Sequence, residues 1–264
     1  GVVTQLGTQI HAGDNYRRVV ELVRSGAIGP IDEVHVRVGS QWSGVGRTLT
    51  PSDPPRNLQW DLWLGPASQR DYSPGNFHPM EWRRWWDFGG GSLGDMGCHY
   101  LDLVFWALEL TAPTRCAATG AAPDPQGCPT GLTVAYDFPA NGDRGPLRVT
   151  WYDGDHAPPA EAATELRENG VLFVGREGRL LADYSRWQLL PTEKFVDFAP
   201  PVATLPASIG HHAEWIAACK QGGSPTCEFA YSGPLTETVL LGNVAYRAGA
   251  TLEWNAADMR ISNA

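Results

Sequence analysis

At 264 residues, with 42% hydrophobic and 19% charged side chains, the chain has the composition of a globular protein able to bury a sizeable core in one or two domains. Its formal net charge of -9 argues against a nucleic-acid partner, which would need clustered Lys and Arg. No apolar stretch is long enough to cross a bilayer, and the 5 cysteines form no CxxC pair, which argues against a zinc site or a disulfide framework. Reduced thiols predict a cytoplasmic address; since the chain opens at Gly1, a cleaved export signal is the alternative.

Residues 1–10 read as a short buried strand, followed by a loop that carries His11. Asp14 is placed to cap a helix whose apolar positions Tyr16, Val19, Val20 and Val23 recur at helical spacing, and Gly26 ends it. Val34, Val36 and Val38 then alternate with His35 and Arg37, the pattern of a half-buried strand with one polar face. Residues 43–88 are rich in Pro, Gly and Trp with little periodicity, which predicts a long loop that is functional or pinned by packing. Of the chain's 11 tryptophans, Trp60, Trp63, Trp82, Trp85 and Trp86 fall there. Indole faces suit the apolar face of a sugar ring and the indole N–H suits a hydroxyl; filling a core is the ordinary alternative. Trp60, Trp82 and Trp86, with Arg83, Arg84 and Asp87, are therefore candidates to bind a hydroxyl-rich ligand.

The most informative stretch follows, at residues 89–102. A glycine-rich turn leads into a helix that carries Asp95, His99 and Asp102, spaced by four and seven positions. That spacing stacks all three on one helical face, so two carboxylates and an imidazole are expected to project into one site. A carboxylate beside an imidazole is a recurring arrangement for a general acid or base near neutral pH. Two plainer roles compete: Asp95 as a complement to the helix dipole, and His99 as a core histidine bonded to a carbonyl. A metal site ranks below both, since no second His or Cys cluster accompanies the three.

Strands are predicted around Cys116 and over residues 132–138 and 147–151, the last two joined through Asn141-Gly142. A further pair spans residues 171–174 and 179–183, around Glu177-Gly178. Two helices close the chain, residues 208–220 with Ile209, Trp215, Ile216 and Cys219, and residues 233–248 with Leu235, Val239, Leu240 and Val244. The order of elements predicts an α+β fold, with a large open, mostly antiparallel sheet and helices packed on one face.

Several of these stretches together resemble the Gfo/Idh/MocA oxidoreductase family, in particular its bacterial branch with a long tryptophan-rich insertion. They are Gln5-Leu6-Gly7-Thr8-Gln9-Ile10-His11, Gly26-Ala27-Ile28-Gly29, Trp60-Asp61-Leu62-Trp63-Leu64-Gly65-Pro66, Trp82-Arg83-Arg84-Trp85-Trp86-Asp87, the run from Gly89 to Asp102, and Leu241-Gly242-Asn243-Val244-Ala245. The resemblance implies an N-terminal Rossmann domain that binds NAD(P) and a substrate domain built on an open sheet. It also implies oxidation or reduction of a sugar or cyclitol, or redox-assisted glycoside cleavage. The family's Asp-x-x-x-His pair matches Asp95 and His99, with the histidine as acid/base at the reacting hydroxyl and the aspartate assisting it.

The departures are as informative. No Gly-x-Gly-x-x-Gly follows a first strand, no acidic residue is placed to hold a ribose, and the family's Glu-Lys-Pro motif is absent. Residues 1–12 are expected to be the end of a Rossmann domain and its junction, with residues 13–264 as the substrate and oligomerisation domain. This chain alone is expected to bind neither NAD nor NADP tightly. Three activities compete: a nicotinamide oxidoreductase's substrate domain, a cofactor-independent glycoside or ester hydrolase using the same acid/base pair, and a non-catalytic carbohydrate-binding module. The expected substrate-binding set is His11, Trp60, Trp82, Arg83, Trp86 and Asp102. The apolar positions Val34, Val36 and Val38, with those of residues 132–138 and 147–151, are expected to pair two copies into a homodimer through the open sheet face.

Overall fold

A computed structural model describes residues 1–263. Helix α1 (Asp14–Arg24) buries Tyr16, Val19, Val20 and Val23 as their spacing requires. Its cap is Gly13 rather than Asp14, which stands inside the first turn where its charge meets the positive end of the dipole. Gly26 follows at φ 74°, a left-handed conformation that turns the chain out of the helix. The chain then enters β1 (Ile31–Val38), passes the short helix α2 (Trp60–Leu64) and a 3-10 turn (Glu81–Arg84), and forms the long helix α3 (Gly91–Leu108).

Three strands come next, β2 (Arg115–Gly120), β3 (Leu132–Phe138) and β4 (Leu147–Asp153), followed by the one-turn helix α4 (Ala160–Ala163). The strands β5 (Gly170–Gly175), β6 (Gly178–Ala182) and β7 (Trp187–Leu190) lead to α5 (His211–Gln221) and α6 (Phe229–Ala248), and β8 (Leu252–Asn255) and β9 (Arg260–Ile261) end the described chain. The strands form one sheet in the order β7-β6-β5-β1-β4-β3-β2-β8-β9. Every pairing is antiparallel except β1 with β4. The α+β fold with a large open sheet is therefore present.

Alternation sets the two faces of the sheet. Val34 lies in register with Val149 and Phe173, and Val36 with Trp151 and Val171; all are buried in one core with residues of α1, α3 and α6. Gly242 lets α6 lie close against the sheet: a β-carbon there would meet the Tyr136 hydroxyl and the side chains of Leu93 and Val134. The opposite face carries Glu33, His35, Arg37, Asp137, Arg148, Thr150 and Tyr152. The valines expected to draw in a second copy are thus the inward ones, covered by the chain's own helices. The outward face is polar over β1, β4 and β3, and at β5 and β6 it carries a smaller apolar cluster in which Leu172, Val174 and Leu181 pack with Ala162 and Leu166.

Two further local expectations fail, and the expected pinning of the long loop by packing is present. Residues 1–8 form no strand; Val2 is 87% exposed, and the segment hangs on the chain before α6 through Leu6 N–H donating to the Cys227 carbonyl at 2.9 Å. The apolar residues of the α5 region find no core: Ile209, Trp215 and Ile216 are exposed, and Ala218 is the one buried residue of that helix. The loop at residues 43–88 is held by an aromatic core of its own, with Trp60 stacked on Trp63 at 4.8 Å and Phe77 fully buried between Trp60, Trp85 and Phe88. Among the described residues no helix is long and apolar enough to cross a membrane.

Candidate active site

A cleft of about 800 Å³ opens between the first half of α3, the segment at residues 82–90, the outer side of α6 and the strap at residues 6–8. Asp95 and His99 stand one turn apart on α3 and both line it, as the four-residue spacing predicts. Burial pushes the His99 imidazole below its ordinary value of 6.5, with Arg83 in the same direction and Asp95 and Asp102 opposing. The ring is therefore neutral at pH 7, and its buried Nδ1 has no hydrogen-bond partner. Asp95 does not reach His99 through a hydrogen bond; its Oδ1 accepts from Arg83 Nε at 2.7 Å.

The third member of the expected trio is elsewhere. Asp102 shares the helical face but lies roughly 10 Å further along the axis at 1.5 Å per residue, where other segments close over it. It is fully buried, its carboxylate lies 2.9 Å from His11 Nδ1, and it accepts from the Tyr231 hydroxyl at 2.6 Å. His11 sits in a 3-10 turn (Gln9–Ala12), 2% exposed, stacked on Trp106 at 3.9 Å. His11 and Asp102 therefore meet each other, in a buried network outside the cleft lining, and neither stands where a ligand in the cleft would touch it.

The tryptophans also divide. Trp82 and Trp86 line the cleft with Arg83, whereas Trp60 belongs to the aromatic core of the loop. Two of the three indole N–H groups are engaged within the chain: Trp60 Nε1 donates to the Arg70 carbonyl at 2.8 Å and Trp86 Nε1 to the Asp124 carbonyl at 3.1 Å. Their faces carry guanidinium groups, Arg83 at 4.5 Å from the Trp82 centroid and Arg247 at 5.1 Å from Trp86. Arg84 stacks over Trp42 and pairs with Glu81, and Asp87 pairs with Arg70, so neither is free for a ligand. The indoles thus position arginines at the cleft, a role that composition alone does not distinguish from sugar stacking.

Sequence reasoning missed Asn243 and Arg247, one turn apart on α6 and both on the cleft wall. Asn243 is 7% exposed; its Nδ2 donates to the Gly90 carbonyl at 3.0 Å while its Oδ1 has no partner. The run Leu241 to Ala245 was a landmark of the resemblance, and the four-residue spacing of Asn243 and Arg247 was its available signal.

The glycine-rich turn before α3 does not fit a dinucleotide. A β-carbon on Gly89 would meet the Arg83 backbone at 2.8 Å, on Gly90 the Asn243 amide at 2.7 Å, and on Gly91 Cys128 at 2.9 Å. The space freed by these glycines is filled by the chain itself, leaving no cradle for a pyrophosphate. Among the described residues no group of three His, Cys, Asp or Glu is placed to hold a metal ion.

Residues 13–139 match the model of the Gfo/Idh/MocA oxidoreductase family's C-terminal alpha/beta domain. Solved structures with the same fold include an oxidoreductase from Thermotoga maritima (14% identity, TM-score 0.56, covering 94% of this chain and 61% of that one). A second is the WlbA dehydrogenase from Bordetella pertussis in complex with NADH and UDP-GlcNAcA (14% identity, TM-score 0.58, 97% and 64% covered). A third is levoglucosan dehydrogenase in complex with NADH and levoglucosan (17% identity, TM-score 0.53, 90% and 64% covered). The chain thus spans 61 to 64% of the length of these relatives. No curated protein matches it in sequence.

Proposed function

We propose that this chain is the substrate-holding and proton-transferring part of a nicotinamide-dependent oxidoreductase that acts on a sugar, cyclitol or glycoside. Residues 1–12 serve as the junction and residues 13–264 as the substrate domain. The reading rests on His99, a neutral imidazole with an unpartnered Nδ1 in a cleft large enough for a sugar-sized ligand. A neutral imidazole can take the proton of a sugar hydroxyl as that carbon is oxidised, or return it on reduction. Asp95, held by Arg83, stabilises the positive charge that His99 then carries. Trp82 and Trp86 wall the cleft and position the arginines. The redox partner is a nicotinamide dinucleotide, as in the NADH-bound relatives, held by residues other than the glycine turn of α3. A cytoplasmic location accords with the free thiols of Cys98, Cys116, Cys128, Cys219 and Cys227.

Glycoside hydrolysis by paired carboxylates finds less support, because that chemistry uses two carboxyl groups facing one bond. Asp95 is the one carboxylate lining the cleft among the described residues. The deciding assay supplies aldoses, cyclitols and aryl glycosides to the full-length protein with and without NAD. Nicotinamide reduction is expected with at least one of them. Release of product from aryl glycosides at an equal rate without NAD would replace this reading by the hydrolase, and saturable binding with no product by the binding module.

Assembly as a homodimer through the outward sheet face belongs to the same reading. Glu33, Arg148, Asp137 and Arg115 lie side by side across β1, β4, β3 and β2, a row of alternating sign that can meet its own two-fold copy. Light scattering is expected to give twice the chain mass at low ionic strength, and a monomer at every concentration would rule this out.

A further inference from the structure

We propose that the cleft selects an acidic sugar, one whose carboxylate or phosphoryl oxygens dock on Arg247 while a neighbouring hydroxyl donates to Asn243. This deepens the sugar-oxidoreductase reading and rests on it. The charges of the cleft lining point to an anion. Arg83 is neutralised by Asp95, and His99 is held in its uncharged form. Arg247 remains: among the described residues no carboxylate lies within 4.0 Å of its guanidinium, and none of its N–H groups has a protein acceptor. A cleft whose one uncompensated charge is a cation favours, locally and against the chain's net charge of -9, a ligand of opposite sign over a neutral one.

The guanidinium is also positioned in advance. It lies over Trp86, at 5.1 Å from the ring centroid, and the ring is fixed in turn by its bond to the Asp124 carbonyl. Stacking restricts the long side chain before any ligand arrives, so less freedom is lost on binding. Its flat fork matches the paired oxygens of a carboxylate or phosphate.

Asn243 supplies the second, independent requirement. It is one turn before Arg247 on α6 and 7% exposed, and its unpartnered Oδ1 needs a donor that the chain does not provide. A hydroxyl is such a donor. Adjacent demands for an anion and a hydroxyl, beside the apolar side chains of Leu240 and Val244, describe a sugar acid or sugar phosphate better than a plain sugar. Arg247 in the last turn of α6 also complements the helix dipole. That role would affect stability and leave ligand preference untouched.

Calorimetry on the full chain with D-glucose, D-glucuronate and a glucose phosphate monoester, for the wild type and Arg247→Gln, tests the proposal. The acidic ligands are expected to bind about tenfold or more tightly than D-glucose at low salt, and Arg247→Gln to remove that margin while D-glucose affinity stays level. The larger margin, uronate or phosphate, identifies the anion. Equal affinity for neutral and acidic sugars, or a margin that survives Arg247→Gln, overturns the acidic-sugar proposal and leaves the sugar reading standing. If neither neutral nor acidic sugars bind, both fall together. Unchanged melting of Arg247→Gln beside a lost margin separates ligand recognition from helix capping.

Discussion

His99→Ala is expected to lower turnover of the full-length enzyme about a hundredfold to ten-thousandfold, the range for removing a positioned acid/base group. Substrate affinity and melting temperature should change little, because His99 is half-buried at a cleft wall and its side chain makes no hydrogen bond within the chain. The pH profile carries a second signature. Burial holds the His99 pKa below 6.5, so the base form predominates at neutral pH, and the oxidation rate falls as pH drops through that lowered value. The acid limb of kcat/KM should therefore lie below the ordinary histidine value. Asp95→Asn removes a charge that raises the His99 pKa and should move that limb lower still. The same shift affects folding: the unfolded chain binds the His99 proton more readily, so this group's contribution to stability falls as pH falls. A variant lacking His99 with wild-type turnover, or an acid limb above the ordinary histidine value, would remove it from the proposed chemistry.

Asp102→Ala should be the most damaging single substitution for stability among the residues considered, at about 3–5 kcal/mol by denaturant titration. The carboxylate is fully buried and joins His11 to Tyr231, tying α3 to the 3-10 turn before α1 and to α6. Truncation leaves an imidazole and a phenol without their acceptor in the interior. Tyr231→Phe removes one hydrogen bond to a charged group and should cost less, about 1.5–3 kcal/mol. Because Asp102 lies outside the cleft lining, the folded fraction of the variant should keep near-wild-type turnover. A large drop in kcat with unchanged stability would instead place Asp102 in the reacting site, where its helical spacing first put it.

The three members of that spacing show where sequence stops being sufficient. Asp95 and His99 reach the same wall because four residues make about one helical turn, a relation set by the backbone alone. The seven-residue step to Asp102 obeys the same geometry, yet its outcome depends on what lies above the helix at that depth. His11, 91 positions away, and Tyr231, 129 positions away, arrive there and close it. Trp60 and Trp86 pose the same problem, since an indole in an aperiodic loop has no pattern to say which neighbours it meets. One joined an aromatic core and the other a cleft.

Local period and turn chemistry determined the helix with Asp95 and His99, the alternating strands β1, β3 and β4, and the turn at Asn141-Gly142, because each depends on residues a few positions apart. The resemblance in short motifs pointed to the family whose C-terminal domain model matches residues 13–139. Tertiary structure alone decided which face of the sheet the helices cover, and that the apolar residues of α5 stay exposed. It also decided that Asn243 crosses 153 positions to bond the Gly90 carbonyl and brings Arg247 to the cleft. Those outcomes follow from which distant segments pack together, a balance of burial and loop closure summed over the whole chain that no local window contains.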